Sequence, residues 1–185
     1  MKIEIMDTTL RDGEQTTSVS FNFAEKLAIA RLLLEEVKVD RLEVASARVS
    51  EGEFDSVKKI TEWAERHGYL DKIEVLGFVD NNMSLEWIQR GGGKVCNLLT
   101  KGSLKHVTSQ LRKTPEQHLA DIERTITVAT EMGISINVYL EDWSNGMANS
   151  PEYVFFLVDA LQQLKVTRIR LPDPLGALNQ VFRYH

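Results

Sequence analysis

The densest run of chemically capable side chains lies close to the amino terminus, in Asp7-Thr8-Thr9-Leu10-Arg11-Asp12-Gly13-Glu14-Gln15. Asp7, Arg11, Asp12 and Glu14 are ionisable, Thr8, Thr9 and Gln15 add hydroxyl and amide groups, and Leu10 is the apolar residue among them. The run follows a short apolar stretch, so the segment is expected to be half buried. Charges there are costly unless they pair with one another, with a metal or with a substrate. A solvated loop carrying a surface ion pair is the plainer alternative.

The surrounding pattern shows what must position this run. Short β-type stretches, 3–6, 41–45, 72–78, 94–99, 134–140 and 167–171, alternate with helical periodicity. Helices are predicted over 24–37, 53–67, 84–90, 115–132 and 151–164. Asn22 with Glu25, and Thr114 with Pro115 and Gln117, carry helix-start signals, while Gly68 and Gly133 carry stops. The tail from Gly176 to His185 reads as the start of a further helix. Six strands alternating with helices predict βαβ units and a parallel sheet. Pattern alone leaves a doubly wound open sheet and a (β/α)₈ barrel both open, although no Gly-x-Gly-x-x-Gly follows the first strand. In either architecture a ligand site lies at the carboxyl ends of the strands.

Composition narrows the functional classes. With 185 residues, 43% hydrophobic and 26% charged, the chain has material for one domain with a sizeable core. A net charge of −5 argues against a nucleic-acid partner. No apolar run is long enough for a membrane span, and the first residues are too short and charged for a signal peptide, so no membrane partner and a cytoplasmic location are expected. The single cysteine, Cys96, fits a reducing compartment and reads as a small core residue. His67 and His118 fall in helical stretches and read as surface residues; Trp63, Trp87 and Trp143 read as packing.

The segment from Asp7 to Gln15 resembles the signature of the 2-isopropylmalate, homocitrate and citramalate synthases, a group that includes hydroxymethylglutaryl-CoA lyase. Further similarity lies at Leu42-Glu43-Val44-Ala45-Ser46, Lys101-Gly102-Ser103-Leu104-Lys105-His106, Val138 to Gly146, and Leu171-Pro172-Asp173. The resemblance implies an α/β fold, a (β/α)₈ TIM barrel, of which residues 1–185 form the amino-terminal part of a single catalytic domain with about six β/α units. It implies metal-dependent Claisen condensation of acetyl-CoA with an α-keto acid such as 2-ketoisovalerate, as in leucine biosynthesis. By that similarity Asp12 ligates the divalent metal (magnesium, manganese or zinc), Arg11 stabilises charge on the carbonyl or enolate oxygen, and Glu141 positions Arg11. His106 is implied as a substrate-region histidine. Glu43 is implied as an inward carboxylate that binds substrate or bonds Arg11 or Arg48. Gln15, Ser46 and Asn97 are implied as lining the keto-acid pocket.

The chain also departs from that pattern. The family carries a His-x-His metal pair on strand seven, and this sequence contains no His-x-His. Pro174 stands where the family has a threonine whose hydroxyl faces substrate, and proline offers no side-chain hydrogen bond. With six strands, two sheet edges stay open, so a homo-oligomer or poor solubility is expected, and the chain alone is expected to be inactive. Two alternatives remain: a non-catalytic structural or oligomerising module, and a metal-dependent carbon–carbon lyase of the same family.

Overall fold

Local sequence chemistry starts three of the longer helices by giving an orphan amide a side-chain partner. The Asn22 side chain accepts from the amides of Ala24 and Glu25, and Glu25 accepts from the Asn22 amide, which starts α1, Phe23–Arg31. A wider π-type turn, Leu32–Val37, continues it to Lys38 in a left-handed conformation. Ser50 caps α2, Glu51–His67, which stops at left-handed Gly68. Thr114 and Gln117 form the reciprocal cap of α5, Pro115–Glu131, with the proline at its first position. The remaining helices are α3, Met83–Arg90; the short α4, Leu104–His106; α6, Trp143–Asn149; and α7, Pro151–Gln162. The sequence pattern missed α4 and α6 because each is too short to show a period.

The computed structural model describes residues 3–173 and 176. Its six strands are β1, Met6–Asp7; β2, Arg41–Ser46; β3, Ile73–Phe78; β4, Val95–Lys101; β5, Ser135–Glu141; and β6, Val166–Arg170. All neighbouring pairs are parallel and follow chain order, β1-β2-β3-β4-β5-β6. The first strand is shorter than the expected 3–6 and shifted toward Asp7. Position 174, and the tail from 177 onward that was read as a further helix, lie outside the described residues.

The two faces of this sheet differ in kind. Leu42, Val44, Val75, Cys96, Leu98, Ile136, Val138 and Leu140 point toward the helices and form one core with Ile60, Ile88, Ile122 and Leu157. The opposite face carries Glu43, Glu74, Asn97, Asn137 and Arg170, and the first four are fully buried. Polar residues tolerate that burial because they bond one another across strands. Arg170 donates to Glu74 at 3.0 Å, and Arg168 of β6 donates to Glu4, just before β1, at 2.6 Å. In a flat sheet β1 and β6 would stand roughly 24 Å apart, five inter-strand spacings. A side-chain contact between them therefore requires the sheet to curl, with the polar face inside. The result is the wall of an incomplete (β/α)₈ barrel with its helices outside, which excludes the open doubly wound sheet.

Candidate active site

The signature segment leaves β1 in a turn built from its own side chains. The Asp7 carboxylate accepts from the amide and hydroxyl of Thr9, at 2.8 and 3.2 Å. The Thr8 carbonyl accepts from the amides of Arg11, Asp12 and Gly13. Leu10 is fully buried and pins the loop to the core. Beneath it lies Lys26, also fully buried, with Nζ 2.5 Å from both Glu14 and Glu53. A buried ammonium needs such partners to offset its lost hydration. Glu14 also accepts from the Phe21 amide at 2.9 Å, so this carboxylate is a structural tie.

That anchoring turns Arg11 into the barrel. Its Nε donates to Glu43 at 2.5 Å and Nη1 donates to Asp12 at 2.8 Å. The second oxygen of Glu43 accepts from Asn97 Nδ2 at 2.6 Å. Asn97 Oδ1 accepts from Asn137 at 2.8 Å and from Arg170 at 3.2 Å. A continuous polar chain thus runs from Arg11 through four strands. Burial, then the charge of Glu43, pushes the Tyr139 hydroxyl beside this chain up to about 12. Burial alone would lower the Arg170 pKa; its bonds to Glu74 override that effect and raise it.

The sequence-implied residues fall into separate places. Arg11, Gln15 and Ser46 line a cleft of about 350 Å³ with Val49 and Ser50, and Asp12 stands exposed beside Arg11. Glu43 and Asn97 lie below, fully buried and bonded to each other. Neither lines that cleft; Glu43 bonds Arg11 directly, and Asn97 bonds Glu43. Of the two arginines considered for Glu43, Arg11 is its partner, and Arg48 pairs with Asp80 at 2.8 Å. His106 lines a different cleft, of about 720 Å³, together with Ser103, Asp142, Asn145 and Asn149. Its Nε2 is 3.3 Å from Asp142, and its Nδ1 is buried without a hydrogen-bond partner. Burial pushes the Asp142 carboxyl up, but bonds from Ser103 and Asn145 outweigh it and lower its pKa.

Glu141 corrects an expectation. Its carboxylate pairs with Lys101, its register neighbour on β4, and Arg11 is held by Glu43 and Asp12 instead. The reason is the period of two: Asn97, Leu99 and Lys101 face inward on β4, as do Asn137, Tyr139 and Glu141 on β5. Lys101 and Glu141 therefore meet at the rim. Just beyond them, a Cβ on Gly146 would stand 2.2 Å from the Gly102 carbonyl oxygen, so glycine is what lets α6 cross the end of β4.

His118 is a second correction. It is 2% exposed, and its Nδ1 is 2.9 Å from the Tyr153 hydroxyl. Tyr153 donates to the Lys101 carbonyl at 2.8 Å, so it accepts from Nδ1–H of His118. The Lys101 amide faces Nε2 at 3.5 Å. Burial, then the nearby charge of Lys113, lowers the His118 pKa to about 4. Its signal was present in the sequence, since His118 lies four residues before Ile122 on the stripe that continues to Ile126 and Ala129. His67 is exposed as expected, stacked on Trp63. Cys96 is fully buried, as its reading as a core residue requires. Among the described residues no three His, Cys, Asp or Glu side chains are arranged to hold a metal ion, and no helix is long and apolar enough to cross a membrane.

The profile of the HMGL-like family matches residues 2–183. The chain is 32% identical over 177 residues to a 2-isopropylmalate synthase of Oceanobacillus iheyensis, a match spanning 95% of this chain and 33% of that protein. It is 30% identical over 185 residues to the 2-isopropylmalate synthase of Sulfurisphaera tokodaii, spanning 100% of this chain and 45% of that protein. The chain thus spans between a third and a half of the length of these relatives. HMG-CoA lyase of Bacillus subtilis superposes with a TM-score of 0.74 at 20% identity, covering 96% of this chain and 60% of that one, a likeness of fold.

Proposed function

The chain belongs to the HMGL-like family, and from that premise we propose that it carries the arginine half of a site for 2-isopropylmalate synthase-type condensation of acetyl-CoA with an α-keto acid such as 2-ketoisovalerate. The supporting observation is the placement of Arg11. Its guanidinium sits at the mouth end of β1, bonded to Glu43 from below and to Asp12 at the side, and borders a cleft with Gln15 and Ser46.

In such a condensation a base removes a methyl proton from acetyl-CoA, the new carbon nucleophile attacks the keto carbon, and charge accumulates on the former carbonyl oxygen. Arg11 is suited to stabilise that oxygen, because a guanidinium fixed before the reaction needs no reorganisation as charge develops. Glu43 and Asn97 supply the fixing. Thr8, Leu10 and Lys26 hold the loop that presents it.

A divalent cation would polarise the keto group in this chemistry. Of the two carboxylates beside Arg11, Glu43 is fully buried and Asp12 is exposed, and the Oδ1 of Asp12 already accepts from that arginine. A hard cation takes six or more oxygen ligands, and Asp12 alone does not enclose one. The chemistry assigned to this chain's own residues is therefore anion stabilisation.

Isothermal titration with 2-ketoisovalerate tests the proposal. The expected result is binding in the millimolar range or tighter, roughly 4 kcal/mol, that is lost in Arg11→Met. Absence of keto-acid binding at millimolar concentration overturns it.

A further inference from the structure

The wall of the Arg11 cleft continues past Ser50 into a second groove. Ser50 lines both, with Arg11, Gln15 and Ser46 on one side and with Arg48, Phe54, Trp87 and Arg90 on the other. The second groove has a volume of about 460 Å³, and Glu51 and Asp55 complete its lining. That volume lies in the range that small-molecule sites occupy.

Both arginines keep hydrogen-bonding capacity. Arg48 is 42% exposed and donates through Nη1 to Asp80 at 2.8 Å, which leaves Nε and Nη2 for a ligand. Arg90 places its guanidinium 5.2 Å from the ring centre of Phe54, and among the described residues it has no carboxylate partner. Contact with a ring holds a guanidinium in place while N–H donors stay available. Phe54 and Trp87 meet edge to face with centroids 5.3 Å apart, and both are half-buried, so their rings are fixed surfaces.

This lining suits a nucleotide better than a simple anion. Aromatic rings stack on a base, guanidinium groups bond phosphate oxygens, and carboxylates accept from ribose hydroxyls. A bare phosphate or carboxylate would meet Glu51 and Asp55 with no donor to offer them. We infer that the groove binds adenosine diphosphate as the nucleotide end of coenzyme A, with the pantetheine arm passing Ser50 into the Arg11 cleft. The inference rests on the proposed acetyl-CoA condensation and adds to it a site for the acyl carrier. No covalent step is involved.

The test is calorimetric titration of the chain with adenosine 3′-phosphate 5′-diphosphate, with coenzyme A, with pyrophosphate and, separately, with 2-ketoisovalerate. Wild type binds the nucleotide, and binds coenzyme A more tightly because the arm adds contacts in the adjoining cleft. Pyrophosphate, without base or ribose, binds roughly tenfold more weakly than the nucleotide. Arg48→Met and Arg90→Met each weaken nucleotide and coenzyme A roughly tenfold, the scale of one charged hydrogen bond. Neither changes 2-ketoisovalerate affinity, because neither arginine borders the Arg11 cleft. If either folded variant binds the nucleotide like wild type, or pyrophosphate binds as tightly as the nucleotide, the inference falls and the keto-acid reading stands. Equal affinity for coenzyme A and the nucleotide would make the groove a site for a free nucleotide and overturn its assignment to coenzyme A. Binding of 2-ketoisovalerate without nucleotide overturns the inference alone; binding of nucleotide without 2-ketoisovalerate overturns the keto-acid reading alone. Should one variant fail to fold by circular dichroism, the other decides.

Discussion

Glu43→Gln tests whether the buried polar chain, and not the loop alone, fixes Arg11. The substitution preserves shape and removes one charge. Glu43 accepts on both oxygens, from Arg11 Nε at 2.5 Å and from Asn97 Nδ2 at 2.6 Å. A glutamine has one acceptor and one donor, so in either orientation a donor faces a donor. Asn97 cannot flip to relieve this, because its Oδ1 already accepts from Asn137 and Arg170. One charge-assisted bond is lost and one buried amide is left facing another, about 3 kcal/mol in all. For a chain of this size each kcal/mol moves the midpoint by about 2–4 °C, so the melting temperature should fall by roughly 6–12 °C. Thermal unfolding followed by circular dichroism measures it. Glu43→Ala should cost more, because it leaves Arg11 with Asp12 alone. A Glu43→Gln midpoint within about 2 °C of wild type would refute the reasoning, since a buried donor clash cannot be that cheap.

Two further outcomes follow from buried titratable groups. The unfolded chain protonates His118 near 6.5 and the folded chain only near 4, so between those values the unfolded state binds more protons. Stability is therefore complete above about pH 6.5 and falls toward pH 4 by something on the order of 3 kcal/mol, and urea unfolding should show this arm flattened in His118→Gln. Cys96 is fully buried, and desolvation raises its thiol pKa far above the ordinary range, so a thiol reagent at pH 8 should label it only as fast as the chain unfolds. Rapid native labelling would show that the β3–β4 core opens locally.

Helix boundaries and the barrel were legible because they rest on short-range chemistry. Asn22 with Glu25, and Thr114 with Gln117, place two helix starts from side chains within three residues. Alternating strand and helix periods gave six parallel strands, and resemblance along the chain chose the barrel. The site was legible as a list of residues and not as a set of contacts. Arg11, Gln15 and Ser46 border one cleft, but the strand partner of Arg11 comes from β2 and not from Glu141 on β5. Which inward residue meets which across strands depends on register, and register depends on where each strand starts. β2 against β3 slips between Glu43 and Ala45, and β5 against β6 slips between Ile136 and Asn137. No local signal in the sequence announces either shift.

The polar interior has a further consequence for how the site is held. Apolar side chains would fill the same space at equal or greater stability, since buried ion pairs often yield to hydrophobic replacements. What apolar residues would not supply is direction. Arg41, Arg168 and Glu4 close one end of the concave face, with Arg168 2.6 Å from Glu4, and Arg170 with Glu74 and Asn97 closes the middle. Each bond fixes one strand against another by geometry, so a slip of one residue breaks several bonds at once. Arg11 stands at the end of that chain, its Nε set by Glu43, Glu43 set by Asn97, and Asn97 set by β5 and β6. The orientation of the guanidinium is thereby tied to strands that follow it by more than 80 residues in sequence. A loop anchored only by Leu10 and Lys26 would place Arg11 near the barrel mouth; the polar chain aims it.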